Sequence, residues 1–159
     1  GVDKRIDVIA TAIHFEGTID DLAGLDLAYA PQFGSAKDPV HIAAFIAQNK
    51  REGLIEELLP GDEPVGDQLV DVRSEAEFAE GTLDGARNIP LPVLRQRMGE
   101  LDRTRPVMVN CGVGERSYKA ARILMQSGFS KVYSLAGGYL MHRFTWKAPA
   151  ATSSGGNQP

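Results

Sequence analysis

Two textures of hydrophobic patterning divide the chain. In residues 1–60 the apolar positions follow helical spacing, as in Ile6, Ile9 and Ile13. Thr18-Ile19-Asp20-Asp21 has the form of a capping box, with Asp in place of Glu, and opens a short helix. Asp38-Pro39 marks a further helix start, since Asp can cap and Pro fits the first turn. That helix is expected over residues 40–52, with Ile42, Phe45 and Ile46 as its apolar side and His41 at the surface. Residues 54–59 add a short apolar segment, and no β-rich run is expected before residue 60. Pro60-Gly61-Asp62-Glu63-Pro64 then punctuates the chain.

Beyond this punctuation, strands alternate with helices. Strands are expected at residues 68–72, 107–110 and 132–135. Helices are expected after Ser74, over 94–101 and over 117–126, with a last helical turn running from Gly137-Gly138 to near Trp146. Gly81 to Asn88 is read as loop. On the helix at 117–126, Ala120, Ala121, Leu124 and Met125 form the packing side, and Gly128 stops it. Alternation of this kind predicts an α/β fold, a parallel sheet with helices on both faces. Residues 147–159 are Lys, Ala, Thr, Ser, Gly, Asn, Gln and Pro, too polar to offset their ordering entropy, and are expected to form a disordered tail.

Composition narrows the function. Hydrophobic residues make up 43% of the 159, enough for a packed core. A formal net charge of −4 without a basic run argues against nucleic-acid or anionic-membrane partners. No apolar stretch approaches the roughly 18 residues that cross a bilayer. The one cysteine cannot form an internal disulfide, so a reducing cytoplasm is the expected location. His14, His41 and His142 are scattered, and no metal site is expected.

That cysteine lies in the most informative segment, Val109-Asn110-Cys111-Gly112-Val113-Gly114-Glu115-Arg116-Ser117. A buried strand ends at Cys111, on the edge where open α/β sheets bind ligands. Gly112 and Gly114 let the backbone curl so that several N–H groups face one centre. The start of the following helix and Arg116 add positive charge. Together these favour a thiolate at Cys111. The spacing is Cys-x4-Arg, which suits a sulfur on the cysteine better than a phosphate with its oxygens. Other readings are an inert core cysteine, a noncatalytic interaction domain, and a cysteine-dependent phosphatase or arsenate reductase. Glu115 in the loop would repel dianionic thiosulfate by an amount on the order of 1 kcal/mol or less, favouring a polysulfide or small persulfide as donor. The alternative is that Glu115 points to solvent.

Residues 66–146 resemble a single-domain rhodanese in four ordered motifs. These are Leu69-Val70-Asp71-Val72-Arg73 through Phe78, Gly81-Thr82-Leu83-Asp84-Gly85-Ala86-Arg87-Asn88-Ile89-Pro90, the loop from Cys111 to Ser117, and Leu135-Ala136-Gly137-Gly138-Tyr139 with Trp146 after it. Thr82 stands where that family usually has histidine. The resemblance implies a sulfurtransferase that forms a persulfide on Cys111, with Arg116 as electrostatic anchor. Gly112, Val113, Gly114, Glu115 and Ser117 would line the persulfide cradle, and Asp71 and Arg73 would organise the neighbouring loops. Its partners would be a sulfane-sulfur donor and a thiol acceptor such as coenzyme A.

Residues 26–40, from Asp26-Leu27-Ala28-Tyr29-Ala30-Pro31, are similar to the C-terminal dimerisation domain of FAD-dependent pyridine nucleotide-disulfide oxidoreductases. The nearest type is the coenzyme A-disulfide reductase and NADH oxidase group, and Gln32 departs from it where a second proline is usual. This implies three segments: residues 1–60 as a helical part of a dimerisation domain, 61–146 as the rhodanese domain, and 147–159 as tail. It also implies a C-terminal piece of a longer enzyme, with FAD and NADH expected there and no cofactor in this piece. Tyr29 is read as a packing residue. The apolar helix faces of residues 1–60 are expected to associate with a second copy, giving a homodimer, with disorder the alternative.

Overall fold

A computed structural model describes residues 1–62 and 65–144. Trp146 and the expected tail at 147–159 lie outside the described residues. The chain divides into two compact units, Gly1–Ile55 and Glu56–Pro159.

The first unit is helical. Helix α1, Val2–His14, buries none of its residues, and Ile6 and Ile13 remain 60% and 71% exposed. Helix α2, Ile19–Ala23, carries the expected capping box: Thr18 accepts from the Asp21 amide while Asp21 accepts from the Thr18 amide. Helix α3, Pro39–Arg51, starts at Asp38 as expected, but it buries Val40, His41 and Ala44, whereas Ile42 and Ile46 stay exposed. His41 is therefore no surface residue. Its Nδ1 accepts from the Asp38 amide at 3.3 Å and its Nε2 faces the Leu25 carbonyl at 2.8 Å, so one ring caps α3 and pins the preceding loop. Two ion pairs tie this unit together: Arg5 meets Asp38, and Arg51 meets Asp20 across α2 and α3. Tyr29, expected as packing, is 53% exposed.

The second unit is a five-stranded, wholly parallel sheet. Its strands are β1 Glu56–Leu58, β2 Gln68–Asp71, β3 Arg87–Asn88, β4 Val107–Asn110 and β5 Val132–Leu135, in the order β1-β5-β4-β2-β3. Strand β1 corrects the expectation that residues 1–60 are only helix and loop. It pairs with β5, Glu56 opposite Tyr133 and Leu58 opposite Leu135, so the unit boundary falls after Ile55, ahead of Pro60. Strand β3 likewise lies within the stretch read as loop. Both are too short for a periodic signal, and long-range pairing makes them strands.

Helices α4 Glu75–Ala79, α5 Leu94–Arg97, α6 Glu115–Gln126 and α7 Gly138–His142 complete the unit. The helix expected over 94–101 is only one turn, continued by a 3-10 turn at Met98–Glu100. Helix α6 begins two residues earlier than expected and turns Ala120, Ala121 and Leu124 onto the sheet, with Met125 at the margin. Leu69, Leu83, Met108 and Leu135 form one cluster of the hydrophobic core. The central strand β4 is buried at all four positions, as a parallel strand covered on both faces must be. Among the described residues no helix is long and apolar enough to cross a membrane.

Candidate active site

The carboxyl ends of β2, β4 and β5 meet on one edge, and the chain turns from β4 into the loop at Cys111. Gly114 caps α6 in a left-handed conformation, φ 107°, that suits glycine. This turn carries the loop back over its own first residue. The Gly114 amide donates to Cys111 Sγ at 3.1 Å, and Ser117 Oγ lies 3.6 Å from the same sulfur. Cys111 is fully buried, but among polar donors. Burial alone would push the thiol up. The amide and hydroxyl of Ser117 and the amides of Gly114 and Val113 outweigh it and hold the thiol below its ordinary range.

Behind the loop, helix α7 fixes its backbone. Tyr139 N–H donates to the Cys111 carbonyl at 2.7 Å, and Leu140 N–H donates to the Gly112 carbonyl at 3.0 Å. Such close approach requires the bare backbone of Gly138. At its φ of +62°, a Cβ would run into the Cys111 carbonyl and sit 2.7 Å from that of Gly112.

Arg116 reaches the site in a form the sequence did not suggest. Its Nη1 and Nη2 donate to the two carboxylate oxygens of Glu77 at 2.8 and 2.6 Å. Glu77 is also the third residue of the α4 capping box and accepts from the Ser74 amide at 3.1 Å. Arg116, then the Ser74 amide, hold the Glu77 carboxyl far below the usual range. The guanidinium therefore acts partly as a tie between α6 and α4, while its charge still couples to Cys111. Glu77 meets its capping partner Ser74 three residues away, whereas nothing local revealed Arg116 as its second partner.

The other loop positions separate. Val113 contributes its amide while its side chain is 64% exposed. Glu115 is exposed and pairs with Lys119 one turn along α6, at 2.7 Å. Its charge is balanced and turned to solvent, so the expected repulsion of thiosulfate loses its basis. Ser117 is buried, donates to the Gly114 carbonyl at 2.9 Å, and accepts from Ser134 of β5 at 3.0 Å. Ser134 was not among the expected site residues.

Asp71 and Arg73 form a buried bidentate pair beside the loop, with Arg73 Nη2 on Asp71 Oδ2 at 2.7 Å. Arg73 also donates to the Gly81 carbonyl at 2.6 Å and stacks over the Tyr139 ring at 4.6 Å. Asp71 takes further donors from the Arg73 amide and the Thr82 hydroxyl, the latter at 2.7 Å. Burial raises its carboxyl, yet these donors outweigh it and keep it low. The pair joins the Gly81–Thr82 loop to α7, which in turn holds the Cys111 carbonyl. Among the described residues no group of three or more His, Cys, Asp or Glu is arranged to hold a metal.

The rhodanese-like domain family matches residues 54–141. The chain belongs to the rhodanese-like family. Two curated relatives fix the enzyme class. A sulfurtransferase of Allochromatium vinosum is 40% identical over 72 residues, covering 45% of this chain and 67% of that protein. The thiosulfate sulfurtransferase GlpE of Pseudomonas aeruginosa is 40% identical over 90 residues, covering 57% and 80%. This is a rhodanese-type sulfurtransferase domain. Among solved structures, an NAD-dependent persulfide reductase from A. fulgidus matches at 44% identity and TM-score 0.79, over 91% of this chain and 26% of that one. Reduced Bacillus anthracis CoADR-RHD matches at 38% identity and TM-score 0.80, over 88% and 26%. The chain thus spans 26% of the length of each of these two, and 57% of an uncharacterized Bacillus subtilis relative, YqhL.

Proposed function

We propose that the rhodanese domain carries sulfane sulfur as a persulfide on Cys111. The thiolate attacks the outer sulfur of a donor, a new S–S bond forms, and the donor's bond to that sulfur breaks with its electron pair leaving on the donor. An acceptor thiolate then attacks the outer sulfur of the persulfide, taking it away and returning Cys111 to the thiolate. The amides of the loop from Gly112 to Ser117 stabilise the anionic sulfur. Arg116 supplies positive charge at the rim, and Asp71 with Arg73 keeps the adjoining loops in place.

One observation carries this reading: Cys111 Sγ lies within a ring of polar groups at the carboxyl edge of a parallel sheet, accepting from the Gly114 amide at 3.1 Å and 3.6 Å from the Ser117 hydroxyl. A docking module needs no such ring. Steady-state kinetics with a sulfane donor and a thiol acceptor provide the test. The reading requires a ping-pong pattern, with parallel double-reciprocal lines, and loss of turnover in Cys111→Ser. Turnover that persists in Cys111→Ser would refute it, and turnover of a phosphate ester without sulfur transfer would select the phosphatase reading.

On the same reading the domain serves a longer disulfide reductase. The two longer structures named above, a persulfide reductase and CoADR-RHD, support this, as does their coverage of both units of this chain. FAD and NADH would be held by the flavoprotein portion of such an enzyme, and no residue of this chain is assigned to either. Coenzyme A persulfide, or a polysulfide, is the proposed sulfur source for that reductase, in a reducing cytoplasm. The helical unit is proposed to pair with a second copy through α1, whose Val2, Ile6, Ile9 and Ile13 lie on one stripe without buried neighbours on that helix.

A further inference from the structure

We propose that Ser134 of β5 is a positioning residue for sulfur transfer: its buried hydroxyl fixes that of Ser117, so that Ser117 donates to the Cys111 sulfur whenever that sulfur is anionic. This role presupposes the persulfide chemistry proposed above and names the residue that prepares the nucleophile for it.

Ser134 occupies an expensive position for a hydroxyl. It sits between Tyr133 and Leu135 in an interior strand, opposite Val109 of β4, and is 2% exposed. Parallel strands covered on both faces normally carry apolar residues there, and a buried hydroxyl is tolerated where it has a partner. Its partner is Ser117 Oγ at 3.0 Å, itself buried, and Ser117 Oγ in turn lies 3.6 Å from Cys111 Sγ and 2.9 Å from the Gly114 carbonyl. Three side chains from β5, α6 and the end of β4 thus form one relay that ends on the nucleophile.

Proton bookkeeping gives the relay its direction. A hydroxyl has one hydrogen to give and two lone pairs to receive. With Cys111 as a thiol, S–H and the Ser134 O–H both donate to Ser117 Oγ, and Ser117 donates to the Gly114 carbonyl. Every site is then satisfied. Once the sulfur has lost its proton, Ser117 would turn a lone pair toward an anion. Rotation about its Cβ–Oγ bond instead moves its one hydrogen from the carbonyl to the sulfur, joining the Gly114 amide as a donor. The hydrogen given by Ser134 keeps the Ser117 oxygen satisfied in both states and polarises the O–H that faces the sulfur. No atom enters or leaves the relay.

The charged groups around this sulfur are few. Arg116 of α6 is coupled to it and is ion-paired with Glu77 of α4. Asp71 of β2, which accepts from Asn110 at 3.4 Å, is paired with Arg73. Strands β4 and β5 bring Asn110 and Ser134, both uncharged, and α7 brings the Tyr139 amide. A change at Ser134 therefore leaves the local charges as they are.

The test uses the full chain with Ser134→Ala, Ser134→Thr and Ser134→Gly, each also in a Ser117→Ala background. Two rates are measured against pH: alkylation of Cys111 by iodoacetamide and loading of Cys111 by a sulfane donor. Ser134→Ala is expected to raise the alkylation midpoint by about half a pH unit and to slow loading below that midpoint about threefold. Ser134→Thr is expected to restore both, and Ser134→Gly serves if the larger side chain prevents folding, reproducing the Ala effect. In the Ser117→Ala background the Ser134 changes should be silent. A folded Ser134→Ala with the wild-type midpoint and loading rate overturns the role, as does an undiminished effect without Ser117. A wild-type chain that alkylates normally but never loads sulfur would instead defeat the sulfur-transfer reading.

Discussion

At the scale of single residues, the second unit depends on how buried polar groups are matched. Asp71 is wholly buried and Arg73 nearly so, and each satisfies the other together with Thr82 and the Gly81 carbonyl. Removing one charge strands the other, so Asp71→Asn should cost about 3 kcal/mol in urea denaturation. The pH dependence has a definite sign. The Asp71 carboxyl is held below its unfolded value, so its contribution is complete above about pH 4 and is lost as pH falls through the lower folded value. Urea midpoints measured at falling pH should show this loss, and Asp71→Asn should flatten it. Thr82 illustrates what a sequence can and cannot convey. Its departure from the usual histidine was visible in the chain, whereas its hydroxyl as one of the donors that keep Asp71 ionised required the fold. Cys111, with its glycines and Arg116, was legible because the whole constellation is contiguous.

At the scale of elements, legibility followed the range of the interactions. The capping box at Thr18 and the helix start at Ser74 could be read because cap and partner are three residues apart. The strands at Val107–Asn110 and Val132–Leu135 could be read from their runs of β-forming residues, Val107, Met108 and Val109 in one and Val132, Tyr133 and Leu135 in the other. Strand β1 could not, since Glu56-Glu57-Leu58 has no strand texture and owes its state to β5. The face of α3 was misjudged for a related reason: Ala44 and the His41 ring occupy its packed side, and spacing alone favoured the larger Ile42 and Ile46. Two element junctions govern the active loop. Gly138→Ala would drive a Cβ into the carbonyls of Cys111 and Gly112. It should lower turnover about 100-fold through misplacement of the loop, with a smaller loss of melting temperature. Glu77→Ala would release Arg116 and remove the carboxylate half of the α4 capping box together. Sulfur-transfer kcat/KM should fall about tenfold, and Glu77→Gln, which keeps the hydrogen-bonding shape, should recover much of it.

For the whole molecule, the boundary after Ile55 is the feature with the clearest consequence. A chain beginning at residue 54 keeps β1 and should fold with its sulfur-transfer activity intact. A chain beginning at residue 61 loses β1 and leaves the backbone of β5 as an unpaired edge. Its melting transition should fall by roughly 10 °C, equivalent to ~2 kcal/mol, with a tendency to aggregate. Calorimetry on the two chains compares them directly. The α1 stripe makes a separate prediction, that light scattering of the full chain gives the mass of two copies and that Ile6→Glu with Ile13→Glu returns it to one. The most direct measurement concerns the sulfur itself. Intact-mass analysis after brief exposure to a sulfane donor should show one added sulfur on Cys111, removed by cyanide and missing in Cys111→Ser. A chain that stays at its unmodified mass, or gains sulfur elsewhere while Cys111 remains free, would contradict the account.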